Sequence, residues 1–187
     1  GGGDELMGLL AGQVCIVTGA GQGLGRAIAL EMAAEGAEVA LLERNPATLQ
    51  AVAGEIAAAG GTAFSYALDI TDYDAYGKAV ADLVARRGRI DVLVNNAAIN
   101  PPTRTILNDT LEDWRRTIAI NLESVYMGSK LVAPHMVERK SGRIISIASI
   151  QGYASSGECG SYNAAKGAVV NMTRGMAVDA GPDGVRV

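Results

Sequence analysis

TGAGQGLG, residues Thr18 to Gly25, follows the apolar run VCIV at 14–17 and leads into the Ala-rich stretch RAIALEMAAEG at 26–36. A strand ending at Thr18 and a helix opening near Leu24 leave few residues for the chain to turn. The glycines at 19, 23 and 25 permit a tight turn, close backbone approach to a ligand and close packing of helix on strand. The free N–H groups and positive dipole end of such a helix start suit a pyrophosphate. No Lys-Ser or Lys-Thr follows the glycines, which excludes an ATPase-type phosphate loop and favours a dinucleotide cradle.

Outward from this turn, short apolar runs alternate with Ala-rich helical stretches, the pattern of βαβ units around a parallel sheet. Strands are predicted at Val14–Thr18, Glu38–Glu43, Thr62–Ala67, Val92–Asn95 and Arg143–Ile147, and helices near Leu24–Glu35, Pro46–Ala59, Asp72–Arg87, Leu111–Val137 and Ser161–Ala180. The continuous apolar character of VCIV, VALL and VLV suits strands covered on both faces. The predicted fold is α/β, a doubly wound parallel sheet of Rossmann type. It is expected to occupy a single domain at 10–187, behind an N-terminal tail at 1–9 that is expected to be in part an added sequence. Pro46 fits a first helical turn, and Gly36 and Gly60 fit helix exits. Thr71 with Asp74, and Thr110 with Asp113, read as N-cap boxes. Val185-Arg186-Val187 reads as the opening of a sixth strand. Because a bare apolar edge is avoided, the chain is expected to be incomplete at its C-terminus.

With 187 residues and 49% hydrophobic content the chain can bury a substantial core. Lys plus Arg number 16 against 20 for Asp plus Glu, a net charge of -4, and no basic run exceeds Arg86-Arg87. Neither nucleic acid nor an anionic membrane is an expected partner. Only Cys15 and Cys159 are present, far apart, which speaks against a disulfide framework and for a reducing compartment. GGGDEL lacks the features of a signal peptide and no apolar run reaches transmembrane length, so the expected location is the cytoplasm. No metal site is predicted.

Glu43 ends the second strand 24 residues after Gly19, where an acidic residue would accept hydrogen bonds from an adenosine ribose. A carboxylate there repels a 2'-phosphate and favours NAD over NADP, whereas Arg44 beside it could pair with that phosphate. A solvated turn after the strand is the alternative reading of the pair.

The spacing of TGAGQGLG, Asp69-Ile70, NNAA at 95–98, Asn121, Ser149 and Tyr162 with Lys166 resembles the short-chain dehydrogenase/reductase family, from about Leu10 to Val187. The resemblance implies that Gly19, Gln22, Gly23, Leu24 and Gly25 hold the NAD pyrophosphate and that Asp69 and Ile70 meet the adenine. Asn95, Asn96 and Ala97 would line the adenosine ribose and steady the sheet. Ser149, Tyr162 and Lys166 would form the catalytic group with Asn121 as a fourth member, Tyr162 and Lys166 also touching the cofactor. Ala98 stands where the family usually has glycine, and Ala148-Ser149 where it often has two serines. Family members continue into a segment that contacts the nicotinamide and covers the substrate, so a chain truly ending at Val187 is expected to show little activity.

Oxidation of an alcohol carbon by hydride transfer requires the hydroxyl proton to leave, and an unperturbed tyrosine, pKa about 10, is a poor base. Residues i and i+4 share a helix face, so the Lys166 ammonium is expected beside Tyr162, favouring the phenolate and making a general acid/base. Read alone the pair is a helix rim; behind a dinucleotide cradle it is a catalytic device. Ser149, just past the fifth strand, can hold the substrate oxygen. By the resemblance, Asn121 would fix a water linking Lys166 to solvent.

The expected activity is an NAD(P)-dependent oxidoreductase interconverting a secondary alcohol and a ketone, or a 3-hydroxyacyl and a 3-oxoacyl group. The rival is a non-catalytic dinucleotide-binding sensor or scaffold of the same fold. The resemblance further implies a homo-oligomer, dimer or tetramer, through the helices at 111–137 and 161–180. The segments 99–110 and 153–160 should shape the substrate pocket.

Overall fold

The computed structural model describes residues 8–187, so the predicted tail lies outside the described residues up to Met7. Its six strands are β1 Val14–Thr18, β2 Glu38–Glu43, β3 Thr62–Ala67, β4 Val92–Asn95, β5 Gly142–Ser146 and β6 Val185–Arg186. All pair in parallel, in the order β3-β2-β1-β4-β5-β6. The helices are α1 Gly23–Ala34, α2 Pro46–Ala58, α3 Tyr73–Arg87, α4 Leu111–Ile118, α5 Ser124–Glu138 and α6 Gly160–Ala180.

Strand alternation sends neighbouring side chains to opposite faces and so builds two cores. Val14 and Ile16 of β1 join Val80 and Leu83 of α3 and Val132 and Met136 of α5. Cys15 and Val17 of the same strand join Ala29 of α1 and Leu49, Val52 and Ile56 of α2. Helices therefore cover both faces, as the continuous apolar strands predict.

Four strand predictions coincide with the structure, and β5 runs one residue ahead of the predicted Arg143–Ile147 at both ends, beginning at Gly142, which pairs with Val185, and stopping at Ser146. Of the three-residue stretch after the last turn, Val185 and Arg186 enter the sheet, in register with Gly142 and Arg143, and Val187 lies outside the strand. Gly36 and Gly60, at φ 87° and 81°, adopt the left-handed conformation of a helix exit.

Two expectations are corrected. The helix predicted as one element at 111–137 is interrupted by a π-helical turn, Ala119–Glu123, joining α4 to α5. The N-cap of α3 is Asp72, whose carboxylate accepts from Ala75 N at 2.9 Å, and not Thr71. Thr71 is held elsewhere: its N–H and hydroxyl donate to Asp69 Oδ1 at 2.9 and 2.7 Å. At α4 the Thr110 reading matches the structure, its Oγ1 accepting from Asp113 N at 3.1 Å.

From β1 the chain winds outward to β3 and then returns to β4 on the other side. The carboxyl ends of β1 and β4 therefore diverge and open a crevice between their following loops.

Candidate active site

A cavity of about 580 Å³ occupies that crevice. Gly19, Gln22, Gly23, Leu24 and Gly25 form one wall; Glu43, Asp69, Ile70, Asn96 and Ala97 contribute others. The glycine turn has the shape a phosphate needs. Gly19 has φ +63°, and a Cβ on Gly25 would stand 2.1 Å from the Gly19 carbonyl oxygen. Gly23, also left-handed at φ +53°, has no heavy atom within 4 Å of its missing Cβ and so faces open space. Among the described residues the Gln22 side chain makes no cap to α1, which leaves the first-turn N–H groups available to an anion. These residues fit a dinucleotide pyrophosphate.

The cradle is tied to the sheet by Thr18, the last residue of β1. Thr18 Oγ1 accepts from both Asn96 N and Ala97 N at 3.0 Å, linking the loop after β4 to the end of β1. Asn96 Nδ2 adds bonds to the carbonyls of Thr18 and Gly19 at 2.9 and 3.3 Å. A hydroxyl as the last strand residue was the available signal, but its partners are 78 and 79 residues away.

Glu43 braces the same turn. One carboxylate oxygen accepts from Gly21 N at 3.1 Å and the other from Asn45 N at 2.9 Å. Asp69 is held below the usual carboxylate range, first by the Thr71 backbone N–H, then by the Thr71 hydroxyl, with Arg44 and Arg116 adding positive potential against the opposing effect of burial.

Asn95 departs from the ribose contact its motif implies. It is 3% exposed and absent from the cavity wall; its amide donates to Ser129 Oγ at 3.3 Å and Ser146 Oγ at 3.5 Å. As the last residue of β4 it faces the α5 side, where two hydroxyls take its amide.

Ser149, three residues beyond β5, caps a short 3₁₀ turn at Ile150–Gly152, its Oγ accepting from Gln151 N at 3.2 Å. That turn packs on α6: a Cβ on Gly152 would lie 2.9 Å from the Lys166 carbonyl oxygen. Lys166 is 3% exposed, donates from Nζ to the Ile147 carbonyl at 2.7 Å and sits 5.8 Å from the Tyr162 ring centroid. Burial lowers the pKa of its ammonium. Ser149, Tyr162 and Lys166 are thus grouped around α6, apart from the walls of the cavity that holds the glycine turn.

Asn121 lies in the π turn, fully buried, and clasps Ile99 at two points: Oδ1 accepts from its N–H and Nδ2 donates to its carbonyl, both at 2.8 Å. Ile99 is itself in the cavity wall. The predicted pocket segments meet, with Arg104 N donating to the Glu158 carbonyl at 3.0 Å beside an Arg104–Cys159 bridge. Glu158, at φ 64°, turns the chain into α6.

A glycine cradle at the switch point of a doubly wound sheet is the architecture of a dinucleotide-binding domain. Comparison with known proteins narrows the class. The short chain dehydrogenase family model matches residues 13–187. Meso-2,3-butanediol dehydrogenase of Serratia marcescens is 38% identical over 175 residues, 94% of this chain and 68% of that protein. A 3-oxoacyl-(acyl-carrier-protein) reductase of Synechocystis sp. is 38% identical over 179 residues, 95% of this chain and 72% of that protein. A metagenomic short-chain oxidoreductase in complex with NADP superposes with TM-score 0.92 at 37% identity, over 95% of this chain and 80% of that one. NAD+-bound xylitol dehydrogenase superposes with TM-score 0.93 at 33% identity, over 96% and 69%. The chain belongs to the short chain dehydrogenase family of oxidoreductases. No helix among the described residues is long and apolar enough to cross a membrane.

Proposed function

We propose that the protein interconverts a secondary alcohol and a ketone, or a 3-hydroxyacyl and a 3-oxoacyl group, with Tyr162 as general acid/base. The carrying observation is Lys166, a buried cation one helical turn from a phenol, bonded to the Ile147 carbonyl at 2.7 Å. Bound NAD(P) supplies the hydride acceptor or donor. Tyr162 takes or gives the proton at its hydroxyl, and Lys166 puts positive charge beside the ring as that proton moves. Ser149 Oγ already accepts from Gln151 N, which leaves its O–H free to donate to the substrate oxygen. Asn121, the proposed fourth member, fixes the segment at Ile99 with both ends of its amide.

In the same reading Gly19, Gln22, Gly23, Leu24 and Gly25 hold the pyrophosphate, Glu43 and the Asn96–Ala97 backbone take the adenosine ribose, and Asp69 and Ile70 meet the adenine. NAD is the proposed cofactor in preference to NADP. Support comes from the Glu43 carboxylate, pinned at the cavity wall by two backbone N–H groups, whose negative charge would repel a 2'-phosphate. The proposed setting is the cytoplasm, in keeping with two free cysteines. The proposed assembly is a homo-oligomer through α4–α5 and α6, which sedimentation at micromolar concentration reports directly.

An alcohol and ketone panel run with NAD(H) and NADP(H) tests reaction and cofactor together. Tyr162→Phe should lower turnover by about 10²-fold or more while leaving NADH affinity nearly unchanged. Turnover near the wild-type rate in that variant would refute the mechanism.

A further inference from the structure

In the proposed reaction Ser149 and Tyr162 serve one substrate oxygen, yet they stand on different elements, the short turn after β5 and the first turn of α6. Between them the chain is exposed from Tyr153 to Glu158, and the Cys159 side chain makes no cap to α6. Ser156, in the middle of this segment, is joined to both sides. Its hydroxyl oxygen accepts from Gln151 Nε2 at 2.7 Å and its carbonyl accepts from Asn163 Nδ2 at 2.8 Å. Gln151 in turn donates its backbone N–H to Ser149 Oγ at 3.2 Å, and Asn163, next to Tyr162, donates its own to the Cys159 carbonyl at 2.9 Å. A continuous line of hydrogen bonds therefore runs from Ser149 through Ser156 to the neighbour of Tyr162.

Two groups acting on one atom lose much of their effect when either is displaced by about 1 Å. The bond from Gln151 N occupies one side of Ser149 Oγ and so limits where its O–H can point. At the other end the Asn163 amide is poorly explained by stability alone. Its Oδ1 is buried and has no hydrogen-bond partner among the described residues, which offsets what the Nδ2 bond contributes. We propose that Ser156 is a positioning residue for catalysis: its hydroxyl fastens the Ser149 turn and its carbonyl the start of α6, holding the Ser149 and Tyr162 hydroxyls at the spacing one substrate oxygen requires. This role rests on the secondary-alcohol reading given above. The two ties act in series, so cutting either one releases the two hydroxyls from each other.

The test is a kinetic double-mutant cycle on the best substrate of the alcohol and ketone panel, with a thiol-labelling assay beside it. Ser156→Ala and Asn163→Ala should each lower kcat about three- to tenfold while NADH affinity stays within about twofold of wild type. The double variant should be no slower than the slower single, because the line is already cut. Ser156→Thr keeps the hydroxyl and should keep the wild-type kcat. Should Asn163→Ala fail to fold, Gln151→Ala takes its place in the cycle, since it removes the other partner of Ser156. Labelling needs no turnover. Cys15 is 0% exposed and burial pushes its thiol up to about 12, so a disulfide reagent reads Cys159 alone, and each single variant should label about three- to tenfold faster as the segment loosens. Wild-type kcat in Ser156→Ala overturns the proposal. So do effects that multiply in the double variant, or an equal loss in Ser156→Thr. Wild-type protein that turns over nothing on the panel refutes the secondary-alcohol reading and the catalytic role with it, while labelling still decides whether Ser156 ties the segment down.

Discussion

Asp91, just ahead of β4, is 4% exposed and gathers partners from three parts of the chain. Its carboxylate accepts from Val14 N at 2.9 Å, from Arg89 twice at 2.7 Å and from Arg139 at 3.3 Å. Burial works to raise its pKa, but the Arg89 bonds, the Val14 N–H and the two guanidinium charges outweigh it and hold the group below the usual carboxylate range. A folded pKa below the unfolded value, about 3.9, means stability that is present above that pH and lost as pH falls through the folded value. Asp91→Asn should cost about 2–3 kcal/mol at pH 7, less than a fully buried pair because both arginines reach solvent. The difference from wild type in urea unfolding should narrow steadily below pH 4; a gap unchanged down to pH 2 would mean that charge plays no part. This residue was not legible in the sequence, since Val14 and Arg139 lie 77 and 48 positions away. Tyr162 and Lys166 were legible because a single helix turn separates them. The Lys166–Ile147 bond was not, because it runs from α6 back to the end of β5.

Elements follow the same division between local and distant causes. β1 to β4 could be bounded from sequence because apolar runs and flanking turn residues are local signals, and at α4 both partners of the Thr110 cap lie within three residues, Thr110 Oγ1 and Asp113 bonding each other. At α3 two adjacent residues could both cap, and the choice fell to tertiary placement: Asp69, in the cavity wall, takes both donors of Thr71 and leaves Asp72 to the helix. Asp72→Ala should therefore destabilise the protein by about 1 kcal/mol through loss of the cap. Thr71→Ala should leave α3 intact and instead let the Asp69 pKa rise toward its ordinary value. Stability curves for the two variants, with amide exchange over residues 73–76, would separate these outcomes; equal fraying of α3 in both would return the cap to Thr71. The π turn at Ala119–Glu123 carries no comparable local signature. Ser124 Oγ bonds the Ile120 carbonyl at 2.5 Å, and Asn121 is committed to Ile99 on a loop 22 residues earlier. The turn is wide where that clasp is made.

At the scale of the molecule, strand order decides what the glycine turn can do. In the order β3-β2-β1-β4-β5-β6 the turn after β1 faces the loop after β4 across the switch point, and Thr18 bonds the two together. Any ligand seated between them draws on both halves of the sheet and should stabilise the fold as a whole. By mass action a ligand at about 100 times its dissociation constant adds about 2.7 kcal/mol. For a chain of this size that corresponds to a Tm rise of about 5–10 °C. NADH should produce this shift in the wild-type chain, and NADPH at the same concentration a smaller one if Glu43 sets the preference. Gly25→Ala places a Cβ 2.1 Å from the Gly19 carbonyl and 2.5 Å from Asn96 Nδ2, so it must open the turn and remove the shift for both cofactors. Gly54→Ala, in α2 with no heavy atom within 4 Å of the added carbon, is the control that should keep it. Wild-type Tm unmoved by both cofactors would separate the fold from the binding it is proposed to serve, and a shift retained in Gly25→Ala would place the ligand elsewhere on the sheet.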